Sequence, residues 1–497
     1  MLDAFSNLFS GLSVALQIEN LAYCFGGALI GTLIGVLPGL GPVATIAILL
    51  PITFYLPPVA ALVMLAGIYY GAQYGGSTTA ILVNLPGESS SVVTCLDGYQ
   101  MARNGRAGPA LSIAALSSLF AGLIAVVLMA VFATGLAELT MFFGPAEYFS
   151  LMIFGLIAAV ILAQGSILSA LAMVFVGLLL SLVGTDVNSG VQRMTFGFFD
   201  LSDGIDFVPL AMGLFAVAEI LKNLEDPEER VVLKGKIGRL MPSREEFKKV
   251  IPAALRGTFI GSFLGLLPGG GPTLGSFAAY TVEKRISKYP HRFGTGVVEG
   301  VAGPEAANNS SAQTAFVPLL TLGIPSNPTI AMMAGAMLIH GIQPGPEVMT
   351  KNPDVFWGLI ASMLIGNLML VIINLPLIGV WVSLLKIPYR LFYPAILVFC
   401  CIGAYSVNNN VFDIYVMIFF GVLGYVFMKW KAEPAPLILA FVLGPLIEEH
   451  FRRAMLLSLG DPTTFVSRPI SLALLVAAVG LIMITIAPRL RSQRQDA

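Results

Sequence analysis

Two acids, Glu88 and Glu305, each sit inside a run of hydroxyl and amide residues in an otherwise apolar sequence. Around the first lie Gln73, Ser77, Thr78, Thr79, Asn84, Ser89, Ser90, Ser91 and Thr94. Around the second lie Asn308, Asn309, Ser310, Ser311, Gln313, Thr314, Thr321, Ser326, Asn327 and Thr329. Hydroxyls, amides and open backbone N–H groups can hydrogen-bond a carboxylate without a fixed Lys or Arg. The same side chains, with freed carbonyls, offer a hard-oxygen site to a cation. An acid at membrane depth is a functional candidate by default. The competing reading puts either Glu at a water-exposed helix end.

Other chemistries find less support. Cys24, Cys95, Cys400 and Cys401 form no CxxC pair, and His291, His340 and His450 are scattered with no HExxH. The cysteines read as small apolar residues in helices. An intramembrane hydrolase would need a nucleophile with a positioned base, and no Ser here is singled out with a His. No organic cofactor is called for. The net charge of −1 offers no basic field for nucleic acid.

Each cluster lies close to a helix-breaking segment, GVLPGLGP (35–42) or GLLPGGGP (265–272), and includes a proline, Pro86 or Pro325. Pro removes a backbone donor and Gly adds conformational freedom, so neither segment continues as regular helix. Backbone freed in this way is forbidden in lipid but tolerated where it lines a cavity or is buried in protein. Pro38, Gly39 and Gly41, with Gly269, Gly270 and Gly271, therefore read as two unwound tips between half-helices. The helix after each tip would aim its N–H groups and positive dipole end at a cavity. A kink without ligand contact is the plainer reading of either segment alone, and two copies at matched positions weaken it.

The copies belong to a longer repeat. Gly27–Pro42 aligns with Gly257–Pro272 at an offset of 230 residues, and nine of sixteen positions are identical. Further on, 75–88 loosely echoes 310–327, and each is followed by a polar link and a long apolar span. Halves of this kind, inverted in topology, are the signature of secondary transporters with a midplane site.

The elements that must position these residues are membrane helices. Only 11% of the 497 residues are charged and mean hydropathy is +0.86, against about 25% charged in a soluble domain. Apolar stretches of spanning or near-spanning length fall at 110–135, 146–163, 166–184, 207–222, 356–381, 391–405, 411–428, 434–447 and 467–488. Between Lys222 and Arg256, nine Lys/Arg and six Asp/Glu mark one charged linker, cytoplasmic by the positive-inside rule. Counting spans outward from it makes 356–381 run opposite to 110–135. The loops holding Asp186 and Asn408–Asn410 then fall outside, and Glu448, Glu449, Arg452 and Arg453 read as a helix end with paired charges. The expected fold is thus an all-α polytopic integral membrane protein of two inverted-topology repeats with Pro/Gly-interrupted helices at a midplane site. Its parts are an N-terminal interfacial segment (1–19), a first repeat (20–222), the linker (223–256), a second repeat (257–466) and a further C-terminal helix with a cytoplasmic tail (467–497). The N-terminus is expected on the periplasmic side.

The chain resembles the large membrane permease subunit of the tripartite tricarboxylate transporters. The motifs that carry the likeness include GVLPGLGP (35–42), YGGSTTAILVNLPGE (74–88), DGYQMARNGRAGPAL (97–111), VGTDVNSGVQRMTFG (183–197), GLLPGGGP (265–272), GPEAANNSSA (303–312), LGIPSNPT (322–329), NNNVFD (408–413) and LGPLIEE (443–449). They run from about residue 20 to 460. The resemblance implies a carrier in the bacterial inner membrane rather than an enzyme. Uptake of tricarboxylates or related carboxylates would be driven by an ion gradient, usually sodium, and no Walker motif argues for ATP. It also implies a small membrane subunit and a periplasmic solute-binding protein as partners, with homo-oligomerisation left open. The large subunit of another binding-protein-dependent carrier, and a passive anion channel, are the alternatives. The residues expected to line the substrate and ion site are Pro38, Gly39, Gly41, Ser77, Thr78, Thr79, Asn84, Pro86, Glu88, Gly269, Gly270, Gly271, Glu305, Asn308, Asn309, Ser310, Pro325 and Ser326.

Overall fold

A computed structural model describes residues 2–37, 41–140, 142–162, 166–186, 188–225, 239–267, 269, 271–385 and 393–495. Among them the chain is almost wholly helical, with one two-stranded hairpin pairing Gly184–Thr185 with Gln192–Arg193. Five helices are long and apolar enough to cross a membrane: Ile18–Val36, Ala102–Leu136, Phe207–Glu225, Pro353–Asn374 and Val411–Lys429. The apolar stretch 356–381 is interrupted: its helix ends at Asn374 and a short one resumes at Ile378. Pro376, which lacks a donor, lies in the gap.

Two triplets of helices matter for the site. The first comprises α1 (Ile18–Val36), α2 (Pro42–Thr53) and α3 (Pro58–Val83). The second comprises α4 (Arg244–Gly265), α5 (Gly271–Ile286) and α6 (Glu299–Thr314). The breaks between α1 and α2 and between α4 and α5 fall on the two Pro-Gly segments, as their composition requires. Helix α4 begins within the charged linker and runs across the expected boundary at 256/257. Ser243 accepts from the Glu246 N–H while Glu246 accepts from the Ser243 N–H, a capping box that fixes the start of the second unit. The N-terminal segment is a helix, Leu2–Ala15, and it packs on Pro353–Asn374, with Gly11 against the Trp357 carbonyl.

Within each triplet the first helix lies against the third through glycines spaced four apart. A Cβ at Gly27, Gly31 and Gly35 would stand 2.2, 2.3 and 2.3 Å from the carbonyl oxygens of Met64, Ile68 and Ala72 on α3. A Cβ at Gly257, Gly261 and Gly265 would stand 2.2, 2.1 and 2.5 Å from those of Gly303, Ala307 and Ser311 on α6. Small residues at this spacing let helix backbones approach closely, which is how helices associate where no hydrophobic drive separates them from lipid. The six glycines are paired by the 230-residue offset, but their partners are 239 residues apart. The stretch from the first helix to the third is therefore nine residues longer in the second half.

Charged and polar side chains gather at the two ends of the helices. At one end Lys429 pairs with Glu225, Arg106 with Glu246, and Arg256 grips Glu283 through two contacts of 2.7 Å. At the other, Asp186 meets Arg193 and Arg452 at 2.6 and 3.2 Å, Glu448 meets Arg193 at 3.0 Å, and Asn410 bonds Asp200 at 2.7 Å. Phe207–Glu225 and Val411–Lys429, each of 19 residues, run from one layer to the other. At 1.5 Å per residue that is roughly 28 Å, close to the hydrocarbon thickness of a bilayer. The pair Lys429–Glu225, exposed on both sides, contributes little to stability, whereas Glu283 is buried beneath Arg256.

The glycine contacts make a paired prediction. Gly27→Ala forces a Cβ against the Met64 carbonyl, and overpacking of this kind costs about 1–3 kcal/mol. Gly26→Ala places its Cβ where nothing lies within 4 Å. Thermal unfolding of the purified protein in detergent should show a lowered midpoint for the first and an unchanged one for the second. Equal midpoints would refute the close-packing account.

Candidate functional site

The polar clusters of the two halves meet around Glu305. This residue on α6 is fully buried, and its carboxylate accepts hydrogen bonds from Ser77 Oγ on α3 at 2.7 Å, from Thr94 Oγ1, and from Ser118 Oγ at 3.5 Å. Asn309 Nδ2 donates to Ser118 Oγ at 2.7 Å, so a second amide of α6 holds the hydroxyl that holds the acid. Three hydroxyls from the first half thus converge on one acid of the second. A cavity here is lined in part by Tyr74, Ser77, Thr78, Ser118, Glu305 and Asn374.

Glu88 forms the neighbouring centre. Its Oε1 accepts from Ser90 Oγ and, at 3.4 Å, from Asn308 Nδ2; Ser90 also bonds the Gln73 side-chain oxygen at 2.9 Å. Ser89 Oγ lies 2.9 Å from Thr273 Oγ1, which stands near the start of the half-helix α5. Among the described residues neither Glu88 nor Glu305 has an ion-pair partner.

The 239-residue register relates the two breaks that follow the third helices. Asn84 and Gly323 are equivalent, and both end a helix in the left-handed region, at φ 62° and 75°. Gly323 pays no steric cost there, and Asn is the side chain that tolerates it best. Glu88 and Asn327 are equivalent too, both extended (φ −151°, ψ 167° and φ −155°, ψ 170°) and both heading the next helical segment. The contacts across the halves are exchanged accordingly. Asn308 donates to Glu88, while Asn327 Nδ2 donates to the hydroxyl of Tyr69, the residue equivalent to Asn308, at 3.3 Å. NLPGE (84–88) and GIPSN (323–327) are therefore one motif in two chemical versions. The loose echo in the sequence is resolved by aligning the ends of the two stretches.

Not every expected residue reaches these centres. Thr79 Oγ1 bonds the carbonyls of Gly35 and Val36 at 3.3 and 2.9 Å, satisfying acceptors left open where α1 ends. Ser310 and Ser326 bond carbonyls of their own half, those of Ala307 and Ala315. Thr78 lines the cavity but donates to Tyr74 O. Asn84 and Pro86 are exposed, whereas Pro325 is buried. The Gly269 N–H donates to Ser326 O at 2.7 Å and Gly271 has φ 53°, so the second tip is tied to the GIPSN break. Pro38, Gly39 and Gly270 lie outside the described residues.

Several residues at these centres were not among those expected. Ser118 lies in a long apolar helix, and the Ser117–Ser118 pair was its only signal. Tyr69 carried none. Glu219 was legible as an acid inside an apolar span: its Oε2 is 3.5 Å from the Gly41 N–H, at the start of α2. A protein carboxylate thus occupies the positive end of that half-helix, with Lys222 one turn further along the same helix. Asp97, fully buried, accepts from Tyr280 OH at 3.0 Å and from the N–H groups of Gly294, Gly296 and Val297 at 2.7–3.0 Å. It ties the DGYQ segment of the first half to the loop that leads into α6.

These two centres, with broken helices on either side, are the surroundings expected of a carrier, and the sequence comparisons agree. The sequence model of the tripartite tricarboxylate transporter TctA family matches residues 21–439. The chain belongs to this family. It is 56% identical over 494 residues to an uncharacterised 52.8 kDa protein in the TAR-I ttuC′ 3′ region of Agrobacterium vitis, covering 99% of this chain and 98% of that one. A second uncharacterised protein, from the TAR-II ttuC′ 3′ region of the same organism, is 58% identical over 236 residues, 48% of this chain and 98% of its own. No solved structure matches. A TctA-family chain is a multi-pass membrane protein of a transporter family, the large permease subunit. The family works in tripartite systems with a small membrane subunit and a periplasmic binding protein.

Asp97→Asn should measurably destabilise this TctA-family chain. It turns one acceptor oxygen into a donor facing backbone N–H groups, and leaving a buried donor unmatched costs about 1–3 kcal/mol. Limited proteolysis and thermal unfolding in detergent would detect it. Unchanged resistance and midpoint would remove Asp97 as a tie between the halves.

Proposed function

We propose that this chain takes up a tricarboxylate or related carboxylate across the bacterial inner membrane, coupled to entry of sodium ions and supplied by the periplasmic binding protein. The single observation that carries this reading is the shell of Glu305. A buried acid bonded by three hydroxyls of the other half, with an amide behind one of them and no ion-pair partner among the described residues, suits an alkali ion and not a permanent ion pair. All-oxygen ligands are what hard cations prefer. Among the described residues no group of three or more His, Cys, Asp or Glu converges as a transition-metal site would require.

Coupling then follows from electrostatics. Two unit negative charges about 6 Å apart at an effective dielectric of about 20 repel by ~3 kcal/mol, roughly a hundredfold in affinity. An anionic substrate beside Glu305 binds well only once a cation has neutralised that acid, so the two enter together. The two tips, at Gly41 on one side and at Gly269 and Gly271 on the other, flank the substrate.

Inverted halves are part of this proposal. Both outer ends of the α4–α5 hairpin lie in the layer of the charged linker, where Arg256 and Glu283 meet. After the end of α2, Tyr55 OH bonds Ser406 O at 3.2 Å, next to the opposite layer at Asn408 and Asn410. This supports hairpins entering from opposite faces, with the linker and the C-terminus cytoplasmic and the N-terminus periplasmic.

The test is uptake of radiolabelled citrate into proteoliposomes holding both membrane subunits, with the binding protein outside and an imposed sodium gradient. Glu305→Gln should abolish accumulation above the external concentration, and Ser77→Ala should raise the sodium concentration for half-maximal uptake several-fold. Thr79→Ala should leave the sodium dependence unchanged and alter stability alone. Glu305→Gln protein that still accumulates substrate with wild-type sodium dependence would exclude Glu305 as the coupling site. Equilibration without accumulation in the wild type would favour a channel.

A further inference from the structure

We infer that Glu88 is a second cation site, so that two monovalent cations bind this chain, one at each of Glu88 and Glu305. The inference rests on the ion-coupled reading above and adds to it a count and a residue.

Glu88 is surrounded by oxygen. Besides its own carboxylate, Ser90 Oγ and the Gln73 side-chain oxygen form a linked pair there, the two 2.9 Å apart. The fourth group is Asn308. Its Nδ2 is 3.4 Å from Glu88 Oε1, while Oδ1 of the same amide is buried and has no hydrogen-bond partner. Burying an acceptor without a partner is costly, and such atoms call for an explanation. Amide oxygen and nitrogen exchange places by a half-turn of the side chain. With a cation between them, Asn308 presents Oδ1 to the ion beside the Glu88 carboxylate, and the orphaned acceptor is satisfied.

Comparison of the halves separates this role from a structural one. Asn327 stands at the equivalent position, in the same extended conformation, and it caps its helix by accepting from the Ile330 N–H at 3.0 Å. At the Glu88 segment the backbone is served by Ser91, whose Oγ accepts from the Glu88 N–H at 3.4 Å and whose N–H donates to the Glu88 backbone oxygen at 3.2 Å. A neutral amide therefore suffices for the backbone's needs in this motif. The extra negative charge at 88 is surplus to capping, and none of the ion pairs among the described residues balances it. Glu219 differs, since Lys222 lies one turn away on its own helix. An anionic substrate between two uncompensated acids needs two positive charges.

The count is measurable without knowing the substrate. Equilibrium binding of radioactive sodium to the purified full-length chain, at constant ionic strength with choline, should saturate at two ions per chain. Glu88→Gln, which leaves an amide as at position 327, should saturate at one, and Glu305→Gln also at one. Asn308→Ala should keep the count of two and weaken one of the affinities several-fold. Thermal unfolding of each variant would confirm that the counts come from folded protein. One ion per wild-type chain, or two in Glu88→Gln, would overturn the second site and leave the first standing. A Glu88 that responds to pH and not to sodium would overturn it as well. No sodium bound by any form would instead remove the coupled reading on which it rests.

Discussion

The structure depends on one constraint: backbone released from a helix inside a bilayer must find its partners in protein. Each unbonded N–H or C=O in hydrocarbon costs several kcal/mol, so a break is tolerated only where a neighbouring helix lies close enough to serve it. The two glycine ladders supply that closeness. Because Gly27, Gly31 and Gly35 bring α1 onto the backbone of α3, Thr79 can reach the carbonyls left open at Gly35 and Val36. The same approach of α4 to α6 lets Thr314 reach Ser262 O at 3.0 Å. A tip can exist in the membrane because its supporting helix has given up side chains.

That constraint also explains where charge appears. The ladders and their threonines serve backbone left open where helices end, and polar groups of both halves gather around Glu88 and Glu305. The site is rich in hydroxyls and amides and holds Glu88 and Glu305 without a Lys or Arg paired to either. A permanent guanidinium beside them would have compensated the acids within the protein and left an incoming cation nothing to do. On the proposed ion-coupled reading, with no such partner among the described ion pairs, the balance of charge becomes a property of what binds. Arg106, Arg193, Arg256 and Arg452 pair instead with acids of the two polar layers, where they fix the register of the helices.

Much of this was legible before any fold was known. The breaks at 35–42 and 265–272 were read from closely spaced Pro and Gly, whereas a single one, such as Pro304 in α6 or Gly31 in α1, leaves its helix unbroken. The apolar stretches fall on helices for a similarly local reason, the length of chain needed to cross hydrocarbon. Glu88, Glu305, Ser77, Asn308 and Asn309 were legible as polar residues with no business in lipid. Thr79 and Ser310 were legible in the same way yet bond within their own halves. A hydroxyl in an apolar sequence announces that it has a partner, not which one.

The sequence by itself therefore determined that this is a broken-helix membrane protein with a duplicated tip and acids beside it, because those features follow from single residues and their spacing. Only the tertiary structure decided the register of the second motif. The nine extra residues between the first and third helices of the second half hide the equivalence of Glu88 with Asn327, and of Tyr69 with Asn308, from any alignment at constant offset. The glycine contacts restore it, because backbone-to-backbone packing admits one register and excludes its neighbours. Ser118 and Thr94 were assigned to Glu305 by tertiary structure too, since hydrogen bonds between residues 187 and 211 positions apart depend on where helices cross, and crossing is not written in local pattern.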